Sequence, residues 1–307
     1  MVRTKIVLPA ISPFRLDLTV WALRRREKNA VDRWDGSQYV RVIVVDNNPV
    51  QLTVTQETAG IEPQLNVVLH SRVEIDERTK HEVGLLVDKM LGVTINLEPF
   101  YTLANSSDSL KPLVEQLMGV KPPRFASIFE GLINSIACQQ VTLDLGIVLL
   151  NRLSEKFGLN LVDHGIVQHA FPEPADVADA SDDALRELGF SRQKARAMRE
   201  LAANIADNKL DLTNLEGMTD EEAVAYLSTI RGIGRWSAEY VLLRGLGRLD
   251  IFPGDDIGAQ NNLQRLFLLD DKPNYQEIKH LTSRWGPYEG VVYFHLLLEK
   301  LHAKGLI

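Results

Sequence analysis

The chain has 307 residues, 45% of them hydrophobic and 24% charged, enough for two domains or one large one with an appendage. A single cysteine, Cys138, excludes a disulfide framework, a four-cysteine zinc site and a cysteine-ligated iron–sulfur cluster. The formal net charge of −7 counts against a protein that neutralises many phosphates with its side chains.

Charge is nevertheless uneven. Arg186, Arg192, Lys194, Arg196 and Arg199 crowd one segment, and Arg231, Arg235, Arg244 and Arg248 another. Taken alone, the two groups are equally well read as solvated helix faces. The sequence has no apolar run of about 18 residues and no signal-peptide pattern at its start. It therefore reads as soluble and intracellular: cytoplasmic and nucleoid-associated, or nuclear in a eukaryote, with no membrane partner.

In chain order, 15–23, 38–46, 49–56 and 64–71 alternate and are rich in β-branched residues. Turn formers at Asp35-Gly36, at Asn47-Asn48-Pro49 and across 60–63 separate them, which predicts an antiparallel meander. A helical stripe follows over 77–91, through Val83, Leu86, Val87 and Met90. Strands followed by a helix suggest an α+β domain over 1–107 with an antiparallel sheet. From Asp108 onward nearly every segment has helical periodicity, which predicts an all-α domain over 108–307 with nine or ten helices. Ser181-Asp182-Asp183 and Thr219-Asp220-Glu221-Glu222 read as capped helix starts.

The most informative stretch is 227–240, LSTIRGIGRWSAEY. Gly232 and Gly234 flank one apolar residue, Ile233, between a helix ending near Thr229 and another starting near Arg235. Glycine permits a tight turn and close approach of a foreign backbone. The free N–H groups at the start of the second helix form an anion site suited to a phosphodiester. The alternative is an ordinary corner between helices that uses glycine as a cap. About 20 residues on, Asp250-Ile-Phe-Pro-Gly-Asp-Asp256 runs into the helix IGAQNNLQRLF. Asp255 and Asp256 read either as helix caps or as a carboxylate held over a pocket. Upstream, an apolar helix ends in Ala137-Cys138-Gln139-Gln140, and Gly189-Phe190-Ser191 opens a basic helix carrying Lys194.

With these pieces together, the sequence resembles the helix–hairpin–helix DNA glycosylases, and within them the DNA-3-methyladenine glycosylase II branch, over almost the whole chain. The resemblance implies a monofunctional enzyme that flips alkylated purines out of duplex DNA and excises them, leaving an abasic site in base excision repair. It implies Asp256 as the catalytic carboxylate, with Asp255 structural. Phosphate would be gripped through the hairpin at Gly232, Ile233, Gly234 and Arg235, with Lys194 also on the DNA and Gln140 as the wedge that fills the gap. Carbonyls of Ser228, Ile230 and Ile233 would hold a sodium or potassium ion. Trp236 and Tyr240, one turn apart, match aromatic positions of the base pocket. The relatives that cleave the strand carry a lysine where this chain has Trp236, so no lyase step is implied. No other cofactor and no iron–sulfur cluster is implied, and one hairpin acting on one lesion requires only a monomer.

Leu297 stands where the family's bacterial type member has a stacking tryptophan. Tyr293, Tyr288 and Trp285 are candidates to replace that ring, with core packing expected for at least two of them. Trp21, in the expected first strand, is a candidate to close the pocket. Cys138 reads as buried and inert, and His295 as a satisfied core histidine. His164 and His169 sit in a loop-like stretch without metal-ligand spacing, and no transition metal is expected. Two other readings stay open: a glycosylase for a neutral, oxidised or deaminated base, and a non-catalytic helix–hairpin–helix DNA-binding protein. Only a catalyst needs a carboxylate beside a polyanion.

Overall fold

A computed structural model describes residues 2–57, 62–163 and 165–307. Gly60 of the expected third turn and His164 lie outside them. The chain opens with β1 (Val2–Pro9), α1 (Leu16–Arg24), β2 (Arg33–Trp34), β3 (Tyr39–Val45), β4 (Asn48–Gln56) and β5 (Gln64–Ser71). The five strands form one antiparallel sheet in the order β1-β5-β4-β3-β2. The antiparallel sheet expected at the N-terminus is present, and α2 (Glu77–Leu91) covers it, capped by Asp76 on the Thr79 N–H.

One element differs in kind. The stretch 15–23 was expected to be a strand and is the helix α1, while the first strand lies earlier, at Val2–Pro9. The reason is two-sided burial. Leu16, Val20 and Leu23 pack into the core under the sheet, and Leu18, Trp21 and Ala22 pack into the helical core. An element buried on both faces has no apolar stripe, so its periodicity misleads. Trp21 accordingly belongs to a helix and to the helical core.

The rest is mostly helical: α3 (Glu98–Asn105), α4 (Lys111–Gln116), α5 (Ile128–Cys138), α6 (Leu143–Phe157), α7 (Pro174–Ala178), α8 (Asp182–Glu187) and α9 (Arg192–Ala206). Then come α10 (Asp220–Ser228), α11 (Arg235–Val241), a π turn over Leu242–Leu246, α12 (Ile257–Leu266), α13 (Tyr275–Thr282) and α14 (Glu289–His302). The expected caps form: Ser181 on the Ala184 N–H, and Thr219 with Glu222 in a reciprocal capping box.

The all-helical expectation for the second part needs a correction. A hairpin of β6 (Asn160–Asp163) and β7 (Ile166–His169) interrupts it and takes His169 out of the expected loop. Leu161 of this hairpin packs on Val42 of the sheet, which gives the strand its buried side.

Sheet and helices also share a charged core. Arg41 of β3 donates to Asp32 at 2.7 Å and to Glu130 of α5 at 2.5 Å, and Asp32 also accepts from the Tyr39 hydroxyl. Both ion pairs have side chains no more than 3% exposed. None of the described helices is long and apolar enough to cross a membrane.

Candidate active site

The turn between α10 and α11 is tight because Gly232 adopts φ +83°, a conformation that strains residues with a Cβ. A Cβ there would also lie 2.9 Å from the Cβ of Ala197. Gly234 differs in both respects. Its φ is −105°, and a Cβ added to it would meet nothing within 4 Å among the described residues. Neither the backbone conformation nor intramolecular packing requires glycine at 234. Gly234 is the N-cap of α11 and supplies no capping side chain, so the first N–H groups of that helix have no side-chain cap among the described residues.

Three links tie α11 to the loop that carries the aspartates. Arg235 grips Asp255 with a fork of 2.8 and 3.1 Å, and stacks 3.6 Å over the Tyr275 ring. Trp236 Nε1 donates to Asp256 Oδ2 at 3.3 Å. Glu239, buried, accepts from the Gly254 N–H at 3.1 Å and from the Tyr275 hydroxyl at 2.6 Å. The other oxygen of Asp256, Oδ1, caps α12 on the Ala259 N–H at 2.7 Å. Asp255 is thus held in a salt bridge, while Asp256, half-buried, is aimed at the indole.

Trp236 and Tyr240 stack at 5.4 Å between centroids and 28° between planes. Tyr240 is 4% exposed and its phenol is pushed up by burial, with Arg25 and Arg244 opposing. The Tyr293 phenol is raised further, by burial and then by the negative charge of Asp256. Tyr293 meets Phe252 edge-on at 5.6 Å.

Trp285 and Tyr288 pack in the core as expected, Trp285 on Phe267 and Tyr288 on Phe100. Leu297 packs at the edge of the helical core, partly buried. His295 is fully buried and only half satisfied. Its Nδ1 meets the Val291 carbonyl at 2.8 Å, Nε2 has no partner among the described residues, and burial lowers its pKa to about 4. Cys138 is half-buried and free.

Gln140 stands exposed just beyond α5 with φ +53°, which sets it apart from the helix that precedes it. Two basic residues expected on DNA have partners within the protein. Lys194 Nζ donates to the carbonyls of Ala137 at 2.9 Å and Gln139 at 2.6 Å, neutralising the carboxyl end of α5. Arg235 is committed to Asp255. Much of the remaining basic cluster is paired as well, in Arg231–Glu200–Arg196, Arg199–Asp182, Arg186–Asp183 and Arg248–Asp220.

Several site residues escaped the sequence reading. Gln139 donates to the Gly232 carbonyl at 2.7 Å and to Ser237 Oγ at 2.8 Å, tying α5 to the hairpin. Glu239 fixes the aspartate loop, and Arg25 reaches Tyr240. Only the abrupt polar end of α5 pointed to any of them.

Comparison with known proteins identifies the family of the chain. The model of the HhH-GPD superfamily, base excision DNA repair proteins, matches residues 133–287, half of the chain. A Bacillus subtilis (strain 168) protein, YfjP, assigned by name to the DNA-3-methyladenine glycosylases, is 34% identical over 60% of this chain and 62% of its own length. The match therefore spans less than two thirds of that relative. A second protein of that species and strain, named DNA-3-methyladenine glycosylase, is 25% identical over 95% of both chains. The solved 3-methyladenine DNA glycosylase of Archaeoglobus fulgidus superposes with a TM-score of 0.81 at 26% identity, covering 97% of this chain and 98% of that one. The chain belongs to the HhH-GPD superfamily of base excision DNA repair proteins.

Proposed function

We propose that the protein is a monofunctional DNA glycosylase that removes alkylated purines from duplex DNA and leaves an abasic site. The observation that carries the reading is the half-buried Asp256 carboxylate at the indole edge of a stacked Trp236–Tyr240 pair, in a chain similar over its length to named 3-methyladenine glycosylases.

The chemistry follows from the lesion. Alkylation at a ring nitrogen makes the purine a cation and a good leaving group, so no acid is needed to expel it. An aromatic face attracts such a cation by roughly 0.5–2 kcal/mol. What remains is a sugar with oxocarbenium character, which a nearby carboxylate stabilises. The same carboxylate orients the attacking water and takes its proton. Because Trp236 Nε1 and the Ala259 N–H hold both oxygens of Asp256, the carboxylate is pre-aimed. Base extrusion costs a few kcal/mol, and the exposed Gln140 is the side chain available to fill the vacated stack.

In this reading the duplex is held by backbone N–H groups at 232–235, where Gly234 leaves room for a phosphate. That accommodates a chain whose arginines are largely paired internally. The carbonyls of Ser228, Ile230 and Ile233 are neutral oxygen donors of the kind that suit sodium or potassium, and the Ile230 carbonyl also closes the turn on the Ile233 N–H at 3.0 Å. A monomer suffices for this chemistry.

The test is base release from methylated duplex DNA. Free methylated purine, with strand breaks appearing only after hot alkali, is the expected result. Strand breaks without alkali would contradict the monofunctional assignment. Duplex binding without release of any base from a lesion panel would favour a non-catalytic binder.

A further inference from the structure

A hollow of about 500 Å³ opens between β1, the edge strand of the sheet, and α2, and no residue of the candidate active site lines it. Its apolar lining includes Ile6, Leu8, Leu85 and Val93, and Gly84 contributes no side chain to the α2 wall. Leu85 is 58% exposed and Val7, which also lines the hollow, 48%.

The backbone of β1 shows what such a hollow can take. Successive N–H groups of a strand point to opposite sides. Ala10 donates to the Pro63 carbonyl at 2.8 Å, on the β5 side, and Ile11 to the Val93 carbonyl at 2.9 Å, on the other. The register of β1 with β5 is unbroken from Val2 to Pro9. The even-numbered residues therefore continue the Ala10 pattern toward β5, and Arg3, Lys5 and Val7 continue the Ile11 pattern toward the open side. The next ladder agrees. Gln64 accepts from the Glu57 N–H at 3.2 Å, so even-numbered residues of β5 serve β4 and odd-numbered ones serve β1. The N–H and C=O groups of Lys5 and Val7 thus face the hollow without a backbone partner among the described residues.

An open ladder beside an apolar wall is matched by an extended polypeptide that adds as a further strand. A second copy of this chain fits badly. Its β1 carries its own α2 along the side that would have to enter, and a two-fold pairing centred on Lys5 sets two lysines opposite each other. We propose that the β1 edge beside α2 is a docking site for an extended segment of another protein, apolar at every second residue and acidic at those between. The apolar side chains enter beside Ile6, Leu8 and Leu85. The alternate ones lie on the outer face of the sheet, beside Arg3 and Lys5, where opposite charge is favoured across strands. Lys5 is available for this, since it pairs loosely with Glu57 at 3.9 Å and both side chains are more than half exposed. This site stands apart from the base-excision reading.

The experiment titrates the full chain into a fluorescein-labelled nonapeptide of alternating valine and glutamate, read by polarisation, and repeats it with lysine in place of glutamate. Val7→Pro deletes a donor that the fold does not use, at an edge position where proline is tolerated. Leu85→Asp puts a charge into the apolar wall. Saturable one-to-one binding that weakens about tenfold in each variant, on the scale of a lost hydrogen bond or a buried unpaired charge, and about tenfold with the lysine peptide, is the expected result. If Val7→Pro fails to melt cooperatively, Leu85→Asp, at an exposed position, carries the comparison. No saturable binding, or equal binding by the wild type and a folded variant, would overturn the docking site. Equal affinity for the lysine peptide would overturn the acidic pattern. A concentration-dependent dimer abolished by Val7→Pro would give the edge to a second copy and overturn the proposal.

Discussion

The indole N–H of Trp236 meets one oxygen of Asp256 at 3.3 Å while the other oxygen caps the next helix, so one carboxylate is positioned by two elements at once. Trp236→Phe keeps a ring against Tyr240 and removes the donor. It should lower kcat for base release by about tenfold, on the scale of a lost hydrogen bond to a charged group, with little change in KM. Single-turnover kinetics check this, and a fall confined to KM would show that the indole acts through stacking alone.

The two hairpin glycines should separate folding from binding. Gly234→Ala introduces a Cβ that meets nothing within 4 Å among the described residues, at an ordinary φ. Its melting temperature should stay at the wild-type value while affinity for undamaged duplex falls about tenfold, because a phosphate can no longer approach. Gly232→Ala meets Ala197 and must hold φ +83°, at a cost of about 1–2 kcal/mol. Thermal melts paired with duplex titrations check both, and unchanged affinity in Gly234→Ala would count against the hairpin as the phosphate grip.

Arg41 joins the sheet to α5 through Asp32 and Glu130. Arg41→Met leaves two buried carboxyl groups without their counter-charge, and losing one partner of such a site costs about 3–5 kcal/mol. Urea unfolding should show that loss. A change under about 1 kcal/mol would mean that the carboxyl groups are relieved by protonation or by water.

His295 makes stability sensitive to acid in a defined window. Its pKa is about 4 in the fold against about 6.5 in the unfolded chain. Above pH 6.5 neither state binds the proton and the full stability is present. Between 6.5 and 4 only the unfolded chain takes it up, so stability falls with pH, by about 3 kcal/mol in all. His295→Leu should flatten this limb when unfolding is measured between pH 7.5 and 5. An equal slope in the variant would assign the acid sensitivity to other groups.

What the sequence made legible was local chemistry. The hairpin glycines, the capping aspartate and the i, i+4 aromatic pair each depend on neighbours within a few residues, so their spacing carried the message. The site's supports join distant parts of the chain: Arg25 to Tyr240, Gln139 to Gly232, Glu239 to Gly254. No periodicity marks such pairs. The helix α1 was misread for a related reason, since burial on two faces erased the stripe that identifies a helix. The β6–β7 hairpin was missed because its strands are four residues each and only one short side is buried. The arginine clusters could not be weighed from the sequence alone, because a carboxylate close in space pairs with most of them.

The most direct test of the account is Asp256→Asn, assayed for base release and for lesion binding on the same methylated duplex. Asparagine caps a helix about as well as aspartate, so the fold should be kept. The account predicts that release falls by at least ~100-fold, the scale of a lost transition-state electrostatic contact, while affinity for the lesion duplex is retained or rises because a negative charge near phosphates is gone. Release at the wild-type rate, or binding and release lost together in a well-folded variant, would contradict the assignment of Asp256 as the catalytic carboxylate.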